Sequence, residues 1–316
     1  MALSQIAVRV NSVCLMGLVV DLPLVGAGGE PVDFKRTLAS HGVASLPPSR
    51  IDEQAWTLEV TLPVAGGART VRVTEGDGRA ARIEILGRAP AARSREAMLA
   101  ALRHMFRLDE DLSAFYAAAA GDPDLAWVTT GAGRMLRSPT VFEDVVKTIC
   151  TTNCAWSGTV RMVTAIVDSL GAEAPGGAHA FPAPAAMAAA GDDFYRDVAR
   201  AGYRGAYLRR LADDVAAGVL DLEELNDPAL PDAEVEERLL ALPGVGPYAA
   251  AHVMLTSLGR YSRLVLDSWT RPTYAKLRGR KTSDKTIARH FRRYRKFAGL
   301  AFWLTLTRGW VEEPVP

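Results

Sequence analysis

The chain has 316 residues, a net charge of +1, 49% hydrophobic residues and 23% charged residues. That balance belongs to a soluble globular protein large enough for two or three subdomains, and it excludes a disordered, collagen-like or multi-span membrane chain. Three cysteines, Cys14, Cys150 and Cys154, form no disulfide framework and fit a reducing compartment. The small net charge hides an asymmetry: Lys276–Lys296 holds ten Lys/Arg against Asp284, a net of +9, so the remainder carries −8.

Residues 1–29 are the least informative and are left as an unassigned N-terminal extension. Val13–Val20 is apolar but far too short to span a membrane. Asp21 and Pro23 follow it closely and argue against a secretory signal. Residues 30–92 read as a small antiparallel β-sheet domain. Trp56–Leu62 and Thr70–Val73 alternate apolar with polar residues, and Arg82–Gly87 is a third run. Pro63, Gly66-Gly67 and Gly76-Asp77-Gly78 supply the turns between them. Asp33–Ser40 before them predicts a short helix.

From Ser94 onward the pattern is helical, so the fold class is α+β. Arg95–Phe106 and Leu108–Ala119 are amphipathic, the second opened by Asp109, Glu110 and Asp111, and Gly131–Ser138 reads as a basic loop. The helical part divides into one subdomain of residues 93–137 with 268–316, and another of residues 138–267. In the second, Val141, Val145, Val146 and Ile149 recur at helical spacing, and the pattern resumes at Val160, Val163, Ile166 and Val167. Thr151-Thr152-Asn153 interrupts it. A polar tripeptide between two packed helices is either a turn with a capping Asn or a probe reaching out of the fold. Cys150 and Cys154 are four apart with no His near them, so small buried side chains are expected there rather than a metal pair. Gly202–Leu208 leads into a further helix, with Tyr203 at its start.

The most informative stretch is Leu242–Asp267. Glu234–Ala241 and Pro247–Leu258 read as two helices joined by Leu242-Pro243-Gly244-Val245-Gly246. Glycines let the chain reverse tightly with its amides outward, and Pro247 fits a first-turn position. The amides and dipole at the start of the second helix make a site for a phosphate oxygen. Asp267, roughly twenty residues past the turn, is either an N-cap or a functional carboxylate, and the two roles are compatible. Further on, the basic run of Lys276–Lys296 is either a solvated face or a polyanion footprint. Its aromatics Phe291, Tyr294 and Phe297 are spaced to seat that segment on the core. Phe297–Trp310 is too apolar for a surface helix and is expected to close the core.

Leu242–Gly246 followed by Asp267, together with Ile149-Cys150-Thr151-Thr152-Asn153, resembles the helix-hairpin-helix-GPD superfamily of DNA glycosylases. The branch it resembles is that of 3-methyladenine DNA glycosylase II and 8-oxoguanine DNA glycosylase, and the similarity runs from about Val32 to Trp310. The resemblance implies that Gly244, Val245 and Gly246 grip the DNA backbone and that Asp267, the catalytic residue, faces the sugar of an extruded nucleotide. It implies that Asn153 enters the gap left by the flipped base and that Tyr203 wedges into the duplex beside it. Departures from the family pattern bear on the chemistry. Tyr248 stands where the strand-cutting members have a Lys amine, and a tyrosine forms no Schiff base with the sugar. His252 replaces a cysteine of the 8-oxoguanine enzyme, Phe302 its base-reading Gln, and Leu306 its stacking Phe. A base pocket of Tyr248, His252, Phe302 and Trp303 looks closer to the aromatic cleft of the alkylbase enzymes, whose electron-rich rings attract cationic purines.

The implied function is a monofunctional DNA glycosylase of base-excision repair acting on a damaged, N-alkylated purine. The alternatives are an oxidised-purine glycosylase and a non-catalytic protein that binds damaged DNA. No P-loop, HExxH or strand-linked GxGxxG motif points to a metal or nucleotide cofactor. No cysteine follows Cys154, so the iron–sulfur cluster of some family members is not expected. The expected partner is double-stranded DNA with damaged bases, bound by a monomer without a membrane, in the cytoplasm at the nucleoid.

Overall fold

The computed structural model describes residues 10–13 and 18–311. Six strands, β1 (Val10–Val13), β2 (Leu18–Pro23), β3 (Ser49–Asp52), β4 (Thr57–Val64), β5 (Gly67–Glu75) and β6 (Ala80–Ile85), form one antiparallel sheet in the order β1-β2-β6-β5-β4-β3. Alternation decides its faces. Leu58, Val60, Val71, Val73, Ile83 and Ile85 point inward and are fully buried, while Glu59 lies opposite Arg72 on the outer face and pairs with it at 2.7 Å. Strand β2, in the stretch left unassigned by sequence, joins β6 because Leu18, Val20 and Leu22 alternate into the same core. Asp21 and Pro23 break the run of apolar letters but not the pattern, since both fall on the other face.

Helix α1 (Phe34–Leu38) is capped by the Asp33 side chain, and α2 (Ala92–Met105) covers the sheet with Met98, Leu102 and Met105. Helix α3 (Ser113–Ala119) begins five residues later than the expected start at Leu108. The acidic residues before it form a turn instead, in which Asp111 accepts the Ser113 amide and Glu30 accepts the Leu112 amide. Next come α4 (Val141–Thr151), α5 (Trp156–Leu170), α6 (Pro184–Ala189), α7 (Arg204–Ala216), α8 (Asp232–Leu240), α9 (Pro247–Thr256), α10 (Thr270–Leu277), α11 (Asp284–Phe291) and α12 (Ala298–Thr307). No described helix is long and apolar enough to cross a membrane.

Gly131–Ser138 is a loop but not a surface one. Ala132, Met135 and Leu136 are buried, and Arg134 is completely enclosed, bonded to Glu30 and to the carbonyls of Arg107 and Glu110. The buried guanidinium is tolerated because both terminal nitrogens find acceptors and Glu30 supplies the opposite charge. It joins the sheet domain to the helices.

Two helical cores meet at α9. Ala249, Ala250, Val253 and Met254 pack with α4, α5, α7 and α8, whereas Ala251 and Leu255 pack with α3, α11 and α12. Helix α9 is therefore apolar on nearly every side, and only its N-terminal end reaches the surface.

Candidate functional site

The turn between α8 and α9 is held from below. The Val245 side chain is buried in the first helical core, so only the backbone of Gly244-Val245-Gly246 faces out. Gly244 has φ +79°, and a Cβ there would lie 2.7 Å from the Tyr207 ring, so glycine is required twice over. Gly246 is different. It is extended (φ −102°), and an added Cβ would meet nothing within 4 Å. Among the described residues, the N–H groups of Gly246, Tyr248 and Ala249 find no acceptor, and Gly246 and Pro247 are exposed.

Asp267 performs its capping role and keeps an oxygen free. Its Oδ1 accepts the amides of Trp269 (2.8 Å) and Thr270 (2.6 Å), while its own N–H donates to Thr270 Oγ1 at 2.8 Å. Oδ2 has no partner among the described residues. Beside it, Arg271 is held by a two-pronged contact to Asp284, both arms at 2.9 Å.

Asn153 adopts φ +45°, a left-handed conformation that asparagine accepts more readily than most residues. It caps nothing: α5 starts behind Ala155 with no side-chain cap. The Asn153 Nδ2 instead donates to Tyr203 Oη at 3.3 Å, and both residues are exposed. Arg204, itself buried, fixes this arrangement. Its guanidinium donates to the Thr152 carbonyl and lies 4.6 Å from the Tyr203 ring centre. Tyr207 packs edge-on against Tyr203 while covering Gly244, which ties the Tyr203 platform to the hairpin turn. Helix α4 ends at Thr151, so Cys150 and Cys154 do not share a helix. Burial pushes the Cys150 thiol up to about 12, and Cys14 lies outside the described residues.

These parts converge. Thr151, Asn153, Tyr203, Gly246, Tyr248 and Asp267 line one cleft of about 550 Å³, with Gly244 and Arg271 at its edge. Tyr248 lies between cleft and core: its Oη is 3.3 Å from Thr151 Oγ1, and burial, with the nearby Asp267 carboxylate, raises its phenol.

The four expected base-pocket residues divide. His252 is buried directly beneath Tyr248, with ring centres 5.8 Å apart, and Trp303 meets the other side of His252 at 6.4 Å. Phe302 does not belong with them. It is completely buried against Tyr274 and Phe291 in the second helical core, because one residue along a helix turns the side chain by about 100°. Three residues not singled out from the sequence complete the cluster around Trp303. Trp269 meets it at a tilt with ring centres 5.6 Å apart, Trp310 meets both rings at 5.5 and 6.1 Å, and His41 packs edge-on against His252 at 5.8 Å.

Solved structures superimpose on nearly the whole chain. A 3-methyladenine DNA glycosylase from Archaeoglobus fulgidus superimposes with a TM-score of 0.70 at 22% identity, covering 92% of this chain and 99% of that one. An 8-oxoguanine glycosylase/lyase from Clostridium acetobutylicum in its apo form gives 0.71 at 22% identity, covering 95% and 98%. The same enzyme in complex with DNA containing cytosine opposite 8-oxoguanine gives 0.69 at 21% identity, covering 96% and 97%. The fold is that of these DNA glycosylases. No protein-family model matches the chain, and no curated protein matches it. The two kinds of neighbour superimpose equally well, so the fold does not choose between alkylated and oxidised bases.

Proposed function

We propose that this chain is a monofunctional DNA glycosylase that releases a damaged purine, N-alkylated by preference, from double-stranded DNA. The observation that carries the reading is the free Asp267 Oδ2 in a cleft that also holds an uncommitted helix N-terminus. The Gly246, Tyr248 and Ala249 amides take phosphate oxygens on one side of the lesion. The exposed basic side chains of α10, α11 and the segment after them supply sequence-independent attraction. Asn153 and Tyr203, already bonded to each other, occupy the space vacated by the extruded nucleotide and replace the stacking it loses.

Cleavage of the N-glycosidic bond builds positive charge on the deoxyribose. A fixed carboxylate at Asp267 stabilises that charge and orients or deprotonates the attacking water. Its Oδ1 bonds hold it in place, so little reorganisation accompanies the reaction. An alkylated purine is a good leaving group and needs no strong general acid, in keeping with the neutral, ring-lined surroundings. Tyr248 occupies the approach to the sugar and forms no imine with it, so the product is an intact abasic strand.

The test is base release from duplexes carrying one lesion each: an N-alkylated purine, 8-oxoguanine, hypoxanthine or uracil. Scission of the alkylpurine duplex only after hot alkali is the expected result. Scission without alkali refutes the monofunctional assignment. Tight binding to every duplex with no release from any of them refutes the enzyme reading in favour of a damage-binding protein.

A further inference from the structure

The buried histidines behind the cleft have a fixed hydrogen-bonding character. His41 Nε2 is 2.7 Å from the Leu136 carbonyl oxygen, which only accepts, so Nε2 carries the proton. His41 Nδ1 is then a bare lone pair in a neutral ring, and it is buried without any partner. In His252, Nδ1 is 3.4 Å from Thr256 Oγ1, whose own proton goes to the His252 carbonyl at 2.8 Å. Nδ1 is therefore the donor, and Nε2 is the bare acceptor. Burial lowers both rings, His41 to about 4 and His252 to about 3, so both are neutral at physiological pH.

A buried acceptor without a donor is costly, and a natural protein retains one where a ligand completes it. The surroundings agree. His41 and Trp310 both line a pocket of about 350 Å³, and His41 touches His252, which packs against Tyr248 of the Asp267 cleft. Trp269 is 39% exposed, and among the described residues its indole N–H donates to nothing. Its side chain is held by ring contacts. Trp303, by contrast, is tied to the Ser40 carbonyl at 2.8 Å.

We propose that His41, contributed by the sheet domain, is a specificity-determining residue: its bare Nδ1, in a ring packed edge-on against His252, accepts a hydrogen bond from the exocyclic amino group of the extruded purine. The inference rests on the glycosylase reading above and refines its substrate class. Ring walls of Trp269 and Trp303 take the base face, Trp269 turning off Trp303 to admit it. The acceptor selects the amino N–H that survives alkylation of a ring nitrogen. Thymine, uracil and amine-free purines are disfavoured because they leave that acceptor unpaired.

The experiment compares single-turnover release of N7-methylguanine and N7-methylhypoxanthine from otherwise identical duplexes. The two bases carry the same charge and methyl group and differ only in the 2-amino group. Wild-type protein is expected to release the amino base at least tenfold faster. In His41→Phe that ratio falls to near one, while His41→Gln, which still donates to Leu136 and still accepts, retains a preference. An unchanged ratio in His41→Phe overturns the proposal, as does a proportional fall on both bases. No release of either base by the wild type overturns the glycosylase reading and this inference with it. A readout free of substitution is the imidazole ¹⁵N spectrum with a duplex bearing non-hydrolysable 2′-fluoro N7-methylguanine. The His41 Nδ1 resonance must move from its bare position toward the hydrogen-bonded one, and an unmoved resonance refutes the contact.

Discussion

The two ends of α9 are treated in opposite ways. At its C-terminal end donors from other elements anchor the last carbonyls: Arg107 donates to Thr256 at 2.6 Å, Arg137 to Ser257 at 3.2 Å, and the Arg260 amide to Met254 at 2.8 Å. Burial, with the Arg107 cation nearby, pushes the Arg137 guanidinium down to about 10. At the N-terminal end, amides are left exposed around a glycine with open space in front of it. One end is completed by the protein itself and fixes the helix. The other leaves its amides open on the cleft. The contrast is between an end anchored by arginines of other elements and an end that keeps its donors available.

The largest test of that contrast is Asp267→Asn. Asparagine retains the Oδ1 acceptor that caps Trp269 and Thr270, so folding is preserved while the negative charge is lost. Base release should fall by about 10³-fold, the scale of losing a fixed electrostatic stabiliser, with duplex affinity changed by less than about threefold. Full activity in this variant would remove the central piece of the mechanism. At the opposite end, Arg107→Met leaves the Met135 and Thr256 carbonyls without their buried donor. Urea denaturation should show a loss of about 3 kcal/mol, because truncating one member of a buried charge network strands the others. A loss below about 1 kcal/mol would mean that the C-terminal end is not the fixed one.

The middle of α9 offers a third test, through pH. His41 and His252 are charged below about 6.5 when unfolded and are held neutral in the folded protein by burial. With folded values depressed, their stabilising effect is complete above pH 6.5. It is lost as the pH falls through that value toward about 4 for His41 and about 3 for His252. Between pH 7 and 4.5, wild type should therefore lose about 2 kcal/mol more than His41→Phe in urea titrations. Parallel losses in both proteins would contradict the neutral ring.

The hairpin turn was readable in the sequence and the ring cluster behind the cleft was not, for a physical reason. The turn and Asp267 come from one contiguous stretch whose residue types are dictated by local geometry, and Gly244 takes a positive φ against the Tyr207 ring. The ring cluster is assembled from His41, His252, Trp269, Trp303 and Trp310, which only tertiary packing brings together. Trp269 lay two residues past Asp267 and carried a signal, an aromatic at a helix start with no core partner in its own segment. Phe302 failed through a single step of helical phase. Strand β2 escaped notice because Pro23 and Asp21 interrupt its letters while leaving its inward face intact.

The finest test separates the two glycines of the turn, which look alike in sequence and differ in space. Gly244→Ala places a methyl group against Tyr207 at a φ of +79°, so it should destabilise the protein by about 2 kcal/mol and disturb the Tyr203 platform that Tyr207 supports. Gly246→Ala puts its methyl group into open space at an extended φ, so unfolding should be unchanged within about 0.5 kcal/mol. That open space is where a phosphate must sit to reach the amides of Gly246, Tyr248 and Ala249. The same harmless methyl group should therefore weaken duplex binding about tenfold, equally for damaged and undamaged DNA, since backbone contacts carry no base information. If Gly246→Ala binds DNA as wild type does, the free amides of α9 face water rather than phosphate. The contrast between its ends would then describe helix capping alone.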